Sequence, residues 1–412
     1  MTVTGDDTSE AAWLEDARPR LRSAVRVGPA LARGPATIHY VADAQTRAYF
    51  QVGPREAFLM RRLDGARSLA DLGAEYAGRF GRRLDAAHWQ RLLGLLADRR
   101  LLDPAGPDEL ARMREKAELA RRSEGRSALH WRVPIPGAAR LVPAVGRRAG
   151  WLLHPVVAAP LAVAGLVVCV LVTLNWSALY AEVRPGWGVL AALLAWLMYA
   201  VHELAHGVAC HRYGGLPTQI GVMWRFPLMA PYCKVDDVVT FPRAWQRVAT
   251  AFAGVYVNLA LLVPLGALWL WGPDGPRPLV AALLLSGATI VLVNLLPVLR
   301  LDGYHMLEHA TSTADLQGES FRFAAAFLRH GPAGVRAYPR RARWLHASYT
   351  LVSVAVLAPV AFLVVRLWFE TLAGLWGAKA AVLVLGAEAV LVGVLLRWWV
   401  LRRQRRRAER QD

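Results

Sequence analysis

Residues 187–211 read WGVLAALLAWLMYAVHELAHGVACH, an apolar run long enough to cross a bilayer that closes on His202-Glu203-Leu204-Ala205-His206. A helix turns residues four apart onto one face, so His202 and His206 can ligate one metal ion. Glu203, one step round, can reach a water beside that ion and take its proton. Polar groups in a lipid-embedded helix are costly, about 2.5–3.5 kcal/mol for a charged side chain on insertion scales. Three so close together need a purpose. Metal binding supplies one; the alternative is a polar cavity between helices.

Outward from this run, the whole chain has a membrane composition. Of 412 residues 55% are hydrophobic, and the formal net charge is +18. Six apolar stretches, at 152–174, 187–211, 248–271, 278–299, 344–368 and 375–401, each approach the ~20 residues a span requires. Basic residues cluster in alternate connections: Arg147 and Arg148 before the first stretch, Arg212 to Arg247 between the second and third, Arg340 to Arg343 before the fifth, and Arg402 to Arg407 after the sixth. Because basic loops stay cytoplasmic, this alternation predicts a multi-pass plasma-membrane protein with both termini in the cytoplasm. Arginine clusters beside membrane spans read as anchors at the lipid surface, which sets nucleic-acid binding aside. Three cysteines (Cys169, Cys210, Cys233) without a CxxC pair indicate neither a disulfide scaffold nor a thiolate zinc site. The fold class expected is mainly α: a helical bundle of about six spans with a small cytoplasmic α+β domain.

That small domain precedes the spans. Residues 36–42 and 47–52 are rich in β-formers and read as a hairpin around Asp43-Ala44-Gln45-Thr46. Helical patterns follow at 54–63, at 68–80 with a capping-box-like Ser68 and Asp71, and at 85–99 with Trp89, Leu92, Leu93 and Leu96 on one face. The predicted divisions are an N-terminal extension (1–34), this domain (35–105), a charged linker and interfacial segment (106–150), the membrane domain (151–401) and a basic tail (402–412).

A catalytic zinc ion needs three protein ligands and an open position. The third candidate lies in Asn294-Leu-Leu-Pro297-Val-Leu-Arg-Leu-Asp302-Gly303-Tyr304. Asp302 follows the fourth span on the side where the second span ends, so the charge alternation sets it at the depth of His202 and His206. Gly303 permits a turn or a close backbone approach, and Pro297 breaks the helix before it. Residues 219–241 read as a strand or hairpin over this site. His211 falls one residue short of a third-histidine spacing and reads as a membrane-interface residue; His305 and His309 read as surface-facing, the alternative being groups that support Asp302 or relay protons. Glu388, mid-way along the last span, is expected to pair with another helix or a polar cavity.

These motifs resemble the site-2-protease family of intramembrane zinc metallopeptidases over roughly residues 185–310. The resemblance implies Zn2+ held by His202, His206 and Asp302, with Glu203 as general base. It further implies that Asn294 helps hold substrate or site geometry; Asn258, in mid-span, is placed to hydrogen-bond a substrate backbone, the alternative being a polar contact between helices. Ala253-Gly254-Val255-Tyr256-Val257-Asn258 departs from the family pattern, since Val255 stands where proline is usual. Residues 35–103 resemble PqqD-like winged-helix domains, which implies recognition of a leader peptide at the hairpin edge. Together they point to an endopeptidase that cleaves the leader-bearing precursor of a ribosomally made peptide near the cytoplasmic face. The alternatives are cleavage of a membrane-anchored regulatory protein, or a catalytically silent membrane receptor or transport partner.

Overall fold

The computed structural model describes residues 16–104, 106, 108–115, 130–225 and 228–408. The start of the predicted N-terminal extension, most of the charged linker (116–129), Phe226, Pro227 and the last four tail residues lie outside them. The chain divides into two compact units, 1–343 and 344–412.

The first unit begins with an antiparallel sheet in the order β1–β2–β3 (Val25–Arg33, Ala36–Asp43, Ala48–Val52). The hairpin of β2 and β3 is the predicted one. β1 lies in the stretch read as an extension, and its ladder to β2 shifts register between Val27 and Ala30, at Gly28-Pro29. Proline cannot donate to a ladder, so a bulge is where a strand tolerates it. Helices α1 (Pro54–Met60), α2 (Leu69–Phe80) and α3 (Ala86–Asp98) complete the domain. Ser68 and Asp71 form the reciprocal capping box that starts α2. Val41 of β2, Leu59 and Met60 of α1, Leu72 of α2, and Trp89 and Leu96 of α3 bury one common core.

A second antiparallel sheet is formed by β4 (His130–Pro134), β5 (Gln219–Arg225) and β6 (Leu228–Lys234), in that order. The β5–β6 pair is the hairpin expected within 219–241. β4 arises from residues read as interfacial. It passes so close to β5 that a Cβ on Gly221 would meet the Val133 carbonyl oxygen at 2.1 Å.

Among the described residues, six helices are long and apolar enough to cross a membrane, at the six places the sequence predicts. After the short α4 (Leu141–Ala149), the first unit holds α5 (Pro155–Leu174), α6 (Trp176–Glu182), α7 (Gly188–Arg212), α8 (Ala244–Trp271) and α9 (Arg277–Leu295). α8 is central. Its Val255, Leu259 and Leu262 share a buried cluster with Cys169 and Val172 of α5 and with Leu284, Ala288 and Val291 of α9. A Cβ on Gly165 would come within 2.2 Å of the Leu259 carbonyl oxygen, so that glycine permits the α5–α8 approach. Meanwhile Val163, Leu193 and Leu270 expose large apolar side chains, as lipid-facing positions do. α9 stops two residues before Pro297, and α10 (Asp302–Ala310) and α11 (Leu316–His330) follow.

The front sheet is fastened to the rest of this unit. Tyr49 Oη donates to Asp237 Oδ1 at 2.7 Å, Arg26 to the Gly214 carbonyl at 2.8 Å, and Arg47 to the Thr218 carbonyl at 3.1 Å. Ala32 of β1 exchanges backbone hydrogen bonds with Ser312 and Ala314, just beyond α10.

The second unit is built on α12 (Arg340–Trp376), which begins just ahead of it, and α13 (Ala378–Ala408). Gly377, at a φ of 83°, makes the turn between them. Glu388 of α13 accepts from the Trp368 indole of α12 at 3.1 Å, the interhelical pairing expected of a carboxylate in mid-span.

Candidate metal centre

His202 and His206 lie one turn apart on α7, both buried, and Asp302 opens α10. Asp302 reaches them because α10 starts hard against the end of α9. A Cβ on Gly303 would come within 2.4 Å of the Leu295 carbonyl oxygen and 2.8 Å of the Asn294 one. The close approach expected of Gly303 is therefore real, and it aims the neighbouring carboxylate at the histidines.

The three ligand atoms converge. His202 Nε2 is 3.0 Å from Asp302 Oδ2, His206 Nε2 is 3.3 Å from Asp302 Oδ1, and the two Nε2 atoms are 3.3 Å apart. A tetrahedral ion with bonds of ~2.0–2.1 Å would hold its ligand atoms roughly 3.3 Å from one another. Among the described residues, this is the group of histidine, cysteine or acidic side chains able to hold a metal.

Two further observations fit an ion at this point. His206 Nδ1 stands 2.8 Å from the Thr250 carbonyl and must donate to it, which leaves Nε2 a lone pair. The Asn258 amide faces His202 Nδ1 at 2.9 Å through its nitrogen, while its oxygen is buried without a partner. Exchanging the two ends of that amide puts Oδ1 on an Nδ1–H and frees His202 Nε2 as well. Two lone pairs and a carboxylate then face one point, an arrangement that a cation stabilises.

Gly254 supplies the room. A Cβ built there would sit 2.4 Å from His206 Nε2 and 2.5 Å from His202 Nε2, close to metal–ligand range of both. Any other residue would fill the space between the imidazoles and α8. Gly254 and Asn258 are one turn apart on α8, so a single helix face both clears the site and orients His202. The helix runs unbroken through Val255.

Glu203 points elsewhere, as the motif requires. One carboxylate oxygen accepts from the Cys233 backbone N–H of β6 at 2.8 Å, and the side chain lines the cleft that His206 and Asp302 also line. Burial pushes the Cys233 thiol up to about 12, so Cys233 lines the cleft as a neutral group.

The remaining sequence candidates fall as follows. Asn258 is fully buried against His202, an orienting position instead of one open to substrate. The Asn294 amide nitrogen donates to the Ile290 carbonyl of its own helix. His211 is outside the ligand group. His305 and His309, read as surface-facing, line the cleft beside Asp302. The position missed in the sequence is Gly254, whose only outward mark there is that it lies one helical turn before the mid-span Asn258. No family model matches this chain, nor does any curated protein or solved structure.

Proposed function

We propose that the chain is a zinc-dependent intramembrane endopeptidase. The observation that carries this reading is the three-ligand convergence at tetrahedral spacing, with Gly254 leaving the gap and Glu203 lining the same cleft. His202, His206 and Asp302 would hold the ion. Zinc, when bound, supplies Lewis acidity that acidifies water and polarises a carbonyl. Glu203 accepts the proton of the attacking water and passes it to the leaving amine. Asn258 and the Thr250 carbonyl keep both imidazoles turned to the metal. Cleavage needs an unwound stretch of substrate, because a helical peptide bond is shielded.

The substrate of this reading is a leader-bearing precursor peptide, its leader recognised by the front sheet as in winged-helix leader-binding domains. The site lies at the cytoplasmic face of the plasma membrane, with both termini on that side, in keeping with the basic connections. The deciding experiment is Glu203→Gln in the purified full chain. Zinc should remain near one per chain while peptide cleavage falls about 10²-fold or more. Undiminished cleavage would overturn the assignment, and absence of zinc from both proteins would favour a silent membrane partner.

A further inference from the structure

A cleft of about 730 Å³ opens over the metal ligands, and one of its walls belongs to the front sheet. Tyr40 of β2, Arg47, and Ala48 and Tyr49 of β3 line it together with Glu203, His206 and Asp302. Strand pairing explains why. Tyr49 is opposite Ala42 and Gln51 is opposite Tyr40, so Tyr40, Ala42, Tyr49 and Gln51 share one face of the sheet. Val41 and Phe50, paired on the other face, pack into the domain's own core. The sheet therefore spends one face on folding and presents two tyrosines from the other.

Both tyrosines are held. Tyr49 Oη donates to Asp237, and Tyr40 Oη accepts from Gln51 Nε2 at 3.0 Å. A cleft of this size takes a short stretch of chain and is too small for a folded partner.

We propose that the front sheet is the substrate-contacting wall of the metal cleft: an extended peptide lies between β3 and the metal centre, with Tyr40 and Tyr49 touching it beside the bond to be cut. Recognition and cutting then share one cleft, and the side chain next to the scissile bond is selected by the front domain. The cutting rests on the endopeptidase reading; the contact does not.

Two measurements on the full chain test it. In the first, Glu203→Gln protein carries a photoreactive benzophenone residue at position 40, 49, 251 or 82 and is illuminated with a biotinylated pool of unstructured decapeptides. Ala251 lines the cleft elsewhere and Arg82 is exposed away from it. Capture from 40 and 49 should match capture from 251 and exceed that from 82 roughly tenfold. Capture from 251 without 40 and 49, or from none of them, overturns the proposal. In the second, zinc-loaded Tyr40→Ala and Tyr49→Ala proteins should shift the preferred side-chain size around the cut roughly tenfold with zinc content unchanged. An unchanged preference in both overturns the proposal. If zinc-loaded wild type cuts nothing, the endopeptidase reading fails alone, and peptide capture still decides this one.

Discussion

Gly254 matters for what it lacks. Replacing it with alanine puts a methyl group 2.4–2.5 Å from both imidazole Nε2 atoms, so Gly254→Ala should lose stoichiometric zinc while circular dichroism keeps its helical signal. Retained zinc at wild-type affinity would show that the ion sits elsewhere. Asn258 acts one bond further out. Asn258→Leu removes the partner of His202 Nδ1 and should weaken zinc binding about 10–100-fold in competition with a chromogenic chelator. The group able to hold a metal, His202, His206 and Asp302, was legible in the sequence because helical spacing and the alternation of basic connections are both readable there. The gap at Gly254 was not, because it exists only where α8 crosses α7. The orienting role of Asn258 was hidden for the same reason: in sequence, an asparagine in mid-span has no partner.

At the scale of elements, α10 holds both Asp302, the third candidate ligand, and two of the cleft's histidines, His305 and His309. Gly303→Val would drive a side chain into the Leu295 carbonyl, push α10 off the end of α9 and withdraw Asp302. Zinc loss with helical content retained, read by metal analysis, is the expected result. Burial keeps His309 neutral by lowering its pKa from 6.5 to about 4. Between those values the unfolded chain binds the proton and the folded chain does not, so its contribution lowers stability as pH falls from 6.5 towards 4. The thermal midpoint of metal-free protein should therefore drop less over that window in His309→Gln than in wild type. Elements also differed in how well the sequence announced them. The β2–β3 hairpin and α2 have alternation and a capping box. β1 hides behind Gly28-Pro29, and β4 is a single short strand whose partner, β5, lies more than 80 residues away.

Across the whole molecule, six apolar helices and alternating basic connections predict which loops share a side of the membrane. A cysteine introduced at Gly275, between α8 and α9, should react in intact cells with a membrane-impermeant thiol reagent. One at Arg82 should react only after permeabilisation. Labelling of both from the same side would refute the topology. The docking of the front sheet left no trace in the sequence, since Tyr49–Asp237 and Arg26–Gly214 join positions 188 residues apart without any periodic pattern.

The order of the parts along the chain has a consequence during synthesis. The front sheet leaves the ribosome first, the two histidines follow, then Gly254, and Asp302 comes last. Domains fold as they emerge, N-terminal ones first. A growing polypeptide therefore carries its front sheet well before it can bring His202, His206 and Asp302 together. If the proposed hydrolysis takes place, the surface proposed to select what enters is already built when it first becomes chemically feasible.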